Sequence, residues 1–108
     1  MATKKTVTKK TTTERYVLLR ARDAGVWAGV FEERTGERSV KLGDGRRIWR
    51  WRGALTLSEV SQRGIEPASK GHTRVACPVP STEILEVCEI HDCSSEARAS
   101  IEAAGWAP

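Results

Sequence analysis

The sequence predicts an α+β fold: a small curled antiparallel β-sheet or barrel of about five to six strands with two short helices. Three observations lead there. Runs of β-branched and aromatic residues alternate with Gly- and Asp-bearing turns through the first half of the chain. A helix-capping signature interrupts the strands at Thr56 and Glu59. At 108 residues, the chain has room for one core and not two.

Residues 16–22 (YVLLRAR) read as the first strand, and Asp23, Ala24 and Gly25 supply turn chemistry before a second run at 26–33 (VWAGVFEE). The pair should form a hairpin. Along its second strand Trp27, Gly29 and Phe31 share one face and Val26, Ala28 and Val30 the other, so both faces should be covered. A turn at residues 34–37 leads to a strand at 38–42. Gly43, Asp44 and Gly45 then read as a hairpin turn into residues 46–51, giving a four-stranded meander.

Thr56 and Glu59 fit a capping box, and Leu55 with Val60 a hydrophobic staple, over a helix at 57–63. Gly64 should end it in a left-handed C′ conformation, with Arg63 near the negative end of the helix dipole. Residues 66–71 read as loop. Residues 73–79 and 83–91 read as two further strands joined through Pro78 and Pro80, which remove ladder donors; a helix is the rival assignment for 83–91. Ser94 should cap a second helix at 95–104, with Glu96 near its positive end and Gly105 terminating it. Trp106 would then pack back onto the sheet.

The expected organisation is a disordered basic Thr/Lys arm at 1–14 and a single β-rich α+β domain at 15–108. The arm repeats TKK and holds no aromatic residue, so it buries too little apolar area to offset its ordering entropy. As a flexible coil it would reach roughly 20 Å. Its Lys4, Lys5, Lys9 and Lys10 would contact nucleic-acid phosphates or a neighbouring subunit; the plainer alternative is a solubilising terminus without a partner. No apolar h-region or small-residue cleavage site marks the N-terminus as a secretory signal. No run approaches the roughly 18–20 apolar residues of a membrane-spanning helix. A protein that stays in the cell that makes it and avoids membranes is the expectation, with Cys77, Cys88 and Cys93 as thiols and not a disulfide framework.

The net charge of +4 comes from the N-terminal end: residues 1–15 carry five basic groups against one acid, whereas residues 16–108 carry 13 of each. The domain is polarised along its length. Residues 16–74 hold 12 basic groups against seven acids, and residues 75–108 hold Arg98 alone against six acids. Such separation suits docking on a polyanion or head-to-tail self-association.

The most distinctive segment is RRIWRWRG at 46–53. If it is extended, Trp49 and Trp51 lie on one face and Ile48, Arg50 and Arg52 on the other. With one Phe and one Tyr in the chain, the tryptophans are natural core material, or they line a concave surface. Arg46, Arg47, Arg50 and Arg52 cannot all be buried, and guanidinium suits phosphate, carboxylate or stacked-base recognition. They either bind an external anion or are neutralised by the acidic residues 83–89 as a cross-strand ladder. The Gly43-Asp44-Gly45 turn lacks the spacing of a phosphate-binding loop.

Catalytic and metal signatures are weak. Cys77, Cys88, His91 and Cys93 match no closed zinc module, and His72 and His91 have no sequence-level triad partner. A non-enzymatic protein without a cofactor is expected.

Taken together, YVLLRARDAGVWAGVF, GDGRRIWRWRGALTLSEVSQRGI and TRVACPVPSTEILEVCEIHDCSSEARASIEAAGW resemble small proteins of tailed bacteriophages and prophages. These carry a G-V-x-x-G strand, an R-R-I-W-x-W-x-G-A-x-x-L-S segment and an I-E-I-x-x-C-x-x-x-A-x-x-S-I ending. The likeness covers about residues 16–106 and is anchored on Gly25, Gly29, Arg46, Arg47, Ile48, Trp49, Trp51, Gly53, Ala54, Leu57, Ser58, Cys93 and Ile101. Arg50 and Arg52 are an extra arginine load. The resemblance implies a viral origin, with residence in the cytoplasm of an infected bacterial host or in the virion, and names no activity. Two functions fit. One is a binding module that engages a nucleic acid or nucleotide through Arg46, Arg47, Arg50, Arg52, Trp49 and Trp51, the nucleotide case suiting an anti-defence role. The other is a virion or head-associated structural protein, or a homo-oligomer, making subunit contacts.

Overall fold

A computed structural model describes residues 14–51, 56–66 and 73–104. The elements are β1 (Tyr16–Ala21), β2 (Gly25–Gly36), β3 (Ser39–Arg50), α1 (Leu57–Arg63), β4 (Arg74–Val75), β5 (Val79–Ile84), β6 (Val87–Asp92) and α2 (Ser95–Ala103). All strand pairs are antiparallel in one open, curled sheet. β3, β2, β1 and β6 lie side by side, and β4 and β5 both pair with β3. The small α+β fold with two short helices is the architecture expected.

β1 and β2 form the expected hairpin, with Ala21 opposite Gly25, whose φ of +86° a side chain would strain. Their alternation covers both faces of the sheet. Val17, Leu19 and Ala21 join Trp27, Phe31, Val40, Leu42, Ile84, Val87 and Ile90 on the inside of the curl. Tyr16, Leu18, Val26, Ala28, Val30, Ile48 and Val75 form the opposite face, which Val60 of α1 and Ile101 of α2 cover.

The four-stranded meander is corrected to three long strands. β3 runs unbroken through Gly43-Asp44-Gly45, which is a bulge and not a hairpin turn: Ala28 pairs with Arg46 and Val30 with Gly43, so two residues oppose Gly29. Asp44 takes φ +50° to make the step. Gly29 permits it, since a Cβ there would lie 3.0 Å from the Gly43 carbonyl oxygen and from the Gly45 Cα. The extra residue reverses the facing of the remainder of β3. Val40 and Leu42 point into the curl, whereas Arg46 and Ile48 point to the helices.

The last strands also differ from expectation. β4 has two residues, the ladder breaks over 76–78, and β5 resumes at Val79 against β3. The single strand expected over 83–91 is two, parted at Leu85 and Glu86, where Glu86 adopts φ +56°. β6 crosses to the opposite edge and pairs with β1. A helix over 83–91 is excluded. The three-residue spacing of Ile84, Val87 and Ile90 imitates a helix because a turn falls between the first two and a bulge at Cys88 between the others.

Both helix caps form. The Thr56 hydroxyl accepts from the Glu59 N–H at 3.2 Å, and the Ser94 hydroxyl from the Ala97 N–H at 3.0 Å. Gly64 ends α1 with φ +86° and ψ −165°, not the left-handed helical values expected but a region open essentially to glycine alone. It presses on α2, where a Cβ would come within 2.6 Å of the Ser100 hydroxyl. Leu55 of the staple, the 67–71 loop, Gly105 and Trp106 lie outside the described residues.

Candidate functional site

The charges sort by sheet neighbour. Because β6 pairs with β1, the β6 carboxylates meet Arg20 of β1 and Arg15 just before it, while Arg98 of α2 meets Glu14 and its helix neighbour Glu102. Asp92 accepts from Arg15 at 2.6 Å, Glu89 lies 3.2 Å from Arg20, and Arg98 donates to Glu14 at 2.7 Å and Glu102 at 3.0 Å. His91 Nε2 lies 2.6 Å from Glu89 Oε2. Arg15 and Arg98 also stack on Phe31 and Tyr16, with 4.5 and 4.8 Å to the ring centres. The cross-strand ladder with acidic residues 83–89, one of the two alternatives for the arginine segment, does not form among the described residues. Only Glu83 reaches β3, opposite Lys41 and far from residues 46–50 along the strand.

The arginine segment divides. Arg46 is 5% exposed: its Nε donates to the Ala76 carbonyl and its NH1 to the Ile101 carbonyl, both at 2.8 Å. Its expected place among outward-facing anion binders is corrected. The bulge at Asp44-Gly45 turns it toward α2, and small Ala28, directly opposite, leaves it room. Burial draws this guanidinium below its ordinary pKa, partly countered by Tyr16 and Cys77. Arg47 is exposed but anchored. It donates to the Ala24 carbonyl, which also accepts from the Trp27 indole, and lies 5.5 Å from the centre of a Trp27 ring.

Trp49 and Trp51 do not share a face. Ile48 pairs with Val75 and Arg50 with Arg74, so Trp49 is the extra residue of a second bulge and stands 55% exposed. The slip returns Trp51 to the side of Ile48, where it packs, half-buried, on the helix-side core. The strict alternation expected for 46–52 fails at that residue. Arg50 is exposed and directly opposite Arg74, a cross-strand pairing of like charges. Among the described residues, no carboxylate forms an ion pair with Arg47, Arg50 or Arg74. Arg52 and the arm residues Lys4, Lys5, Lys9 and Lys10 lie outside the described residues.

Arg74 is not a candidate that the sequence singles out. Only the pairing of a two-residue strand with β3 brings it beside Arg50, and no periodicity in so short a segment announces that. The site is therefore Arg47, Trp49, Arg50 and Arg74, at the end of β3 remote from the β2–β3 hairpin. It offers three guanidinium groups and an exposed indole, a set suited to phosphate oxygens and aromatic rings and without a nucleophile or general base of its own.

The thiols lie elsewhere. Cys77 and Cys88 are exposed and Cys93 is half-buried. Burial, with Asp92 adding to it, pushes the Cys93 thiol up to about 12. Among the described residues, no three His, Cys, Asp or Glu side chains are grouped to hold a metal ion, and no helix is long and apolar enough to cross a membrane.

A family model described as a domain of unknown function, DUF6948, matches residues 14–101. No curated protein and no solved structure matches the chain.

Proposed function

We propose, from the premise that the chain belongs to the DUF6948 family of domains of unknown function, that it is a non-enzymatic module that binds nucleic acid through the β3–β4 end of its sheet. One observation carries this: Arg50 and Arg74 oppose one another across an antiparallel pair with no carboxylate bound to either among the described residues. Like charges directly opposite cost stability, and an anion from outside the chain relieves that cost. Nucleic acid supplies closely spaced phosphates, which a cross-strand pair of guanidinium groups with Arg47 beside it can span. The Lys-rich arm adds diffuse attraction. The likeness to phage proteins supports the cytoplasm of an infected bacterium as the setting.

Titration of labelled oligonucleotides with the full chain at several salt concentrations tests the proposal. Affinity should fall steeply with salt, and Arg50→Ala with Arg74→Ala should flatten the slope by roughly 0.7–0.9 for each phosphate left without its guanidinium. Deleting residues 1–13 should flatten it further while keeping Glu14 on Arg98. Binding that is absent, or indifferent to salt and to both arginines, would refute it.

A second reading, a virion or oligomer subunit, draws on Leu85, 60% exposed at the link between two sheet edges. Light scattering separates the two: a monomer mass at working concentration removes self-association.

A further inference from the structure

Resting on the proposed nucleic-acid binding, we infer that the strand recognised is unpaired, and that Trp49 stacks on one of its bases while Arg50 and Arg74 hold the flanking phosphates. Trp49 is one of two large apolar side chains exposed among the described residues. The other, Leu85, lies beyond the far end of β5. The bulge lets Ile48 and Trp51, three residues apart, both pack on the helix-side core, and Trp49 is the residue it leaves outside that core. Its second consequence is an exposed indole on the same strand end as Arg47 and Arg50, next in sequence to the residue that pairs with Arg74. A duplex offers phosphates to such a surface but hides the faces of its bases in the stack. An unpaired strand offers both, and every base presents an aromatic face to the indole. Anchoring of Arg47 on the Ala24 carbonyl fixes one cation in advance, so less side-chain freedom is lost on binding.

The test is fluorescence anisotropy of the full chain against oligo(dT) of about 15 nucleotides and a duplex of about the same length, in one buffer. The unpaired strand should bind more tightly than the duplex. Trp49→Ala should weaken oligo(dT) binding roughly tenfold and leave the duplex and the salt slope unchanged, whereas Trp49→Phe, which keeps a ring, should retain most of the affinity. Equal affinity for both probes, or an unchanged affinity in Trp49→Ala, overturns the inference. Salt-dependent binding that still relies on Arg50 and Arg74 would then leave the broader proposal standing. No binding of either probe would end both.

Discussion

The β1–β6–α2 side of the molecule and the β3–β4 end hold similar side chains in opposite electrostatic conditions. On the first, Arg15, Arg20 and Arg98 each meet a carboxylate, and two of them stack on rings of the same domain. On the second, Arg47, Arg50 and Arg74 meet carbonyls or one another, and an indole stands exposed beside them. The difference arises from strand order. Acidic β6 follows β5 in sequence, but its two-residue link carries it to the other edge, so its carboxylates are spent on β1. Complementary charge in a sequence becomes complementary charge in space only where the sheet makes the two segments neighbours.

Arg46 gives the sharpest test of that contrast, since it belongs to the arginine segment in sequence and to the core in space. Arg46→Ala removes both hydrogen bonds of a buried guanidinium, taking a charged donor from the Ala76 carbonyl and from the Ile101 carbonyl near the C-terminal end of α2, which keeps only the Ala104 N–H at 3.2 Å. A loss of about 3 kcal/mol is expected, a fall of roughly 15 °C in Tm by thermal denaturation. Arg50→Ala should change Tm by little. A comparable fall in both variants would mean that the two arginines are not divided between fold and surface.

The sequence was legible wherever period and turn chemistry acted locally. The β1–β2 hairpin, the two-faced pattern of Trp27 to Phe31, and the caps at Thr56 and Ser94 all form as their residues dictate. Legibility ended at the bulges. Gly43-Asp44-Gly45 has hairpin-turn composition, yet the close approach that bare Gly29 permits makes it a step within one strand, and a fact about β2 thereby decides the facing of Arg46 on β3. Trp49 stands out for a similar reason: its bulge is set by the register of Arg74 and Val75, some 25 residues away in the chain. Arg50, read from sequence as a candidate, is exposed; its opposite number Arg74 depends on pairing that only the fold reveals.

Cys93 probes the first region by titration. It follows Asp92 and faces the helix-side core, and burial holds its thiol protonated up to about 12, above the ordinary 9.0. A group held protonated in the folded state contributes stability that is complete below its unfolded pKa and is lost as pH rises through the folded value. Stability should therefore decline between about pH 9 and pH 12, and Cys93→Ala should reduce that decline. Thiol labelling near pH 8 should correspondingly modify Cys77 and Cys88 quickly and Cys93 slowly. Equal rates for all three would show that the region is more open than its packing implies.

The smallest effect bears most directly on the contrast, because one kind of substitution should act with opposite signs in the two regions. Arg50→Glu places a carboxylate opposite Arg74 and replaces a repulsive cross-strand pair by an attractive one. Arg20→Glu places a carboxylate opposite Glu89 and does the reverse. Cross-strand charge pairs contribute only about 0.5 kcal/mol at exposed positions, so the expected shifts are roughly 2–4 °C, upward for Arg50→Glu and downward for Arg20→Glu. Both should shrink as salt shortens the screening length. If the stabilised variant also loses oligonucleotide binding, the β3–β4 end gives up stability to keep a charge that its own fold does not use. If Arg50→Glu instead destabilises the domain, Arg50 already has a counter-charge, and its exposure does not signal an external partner.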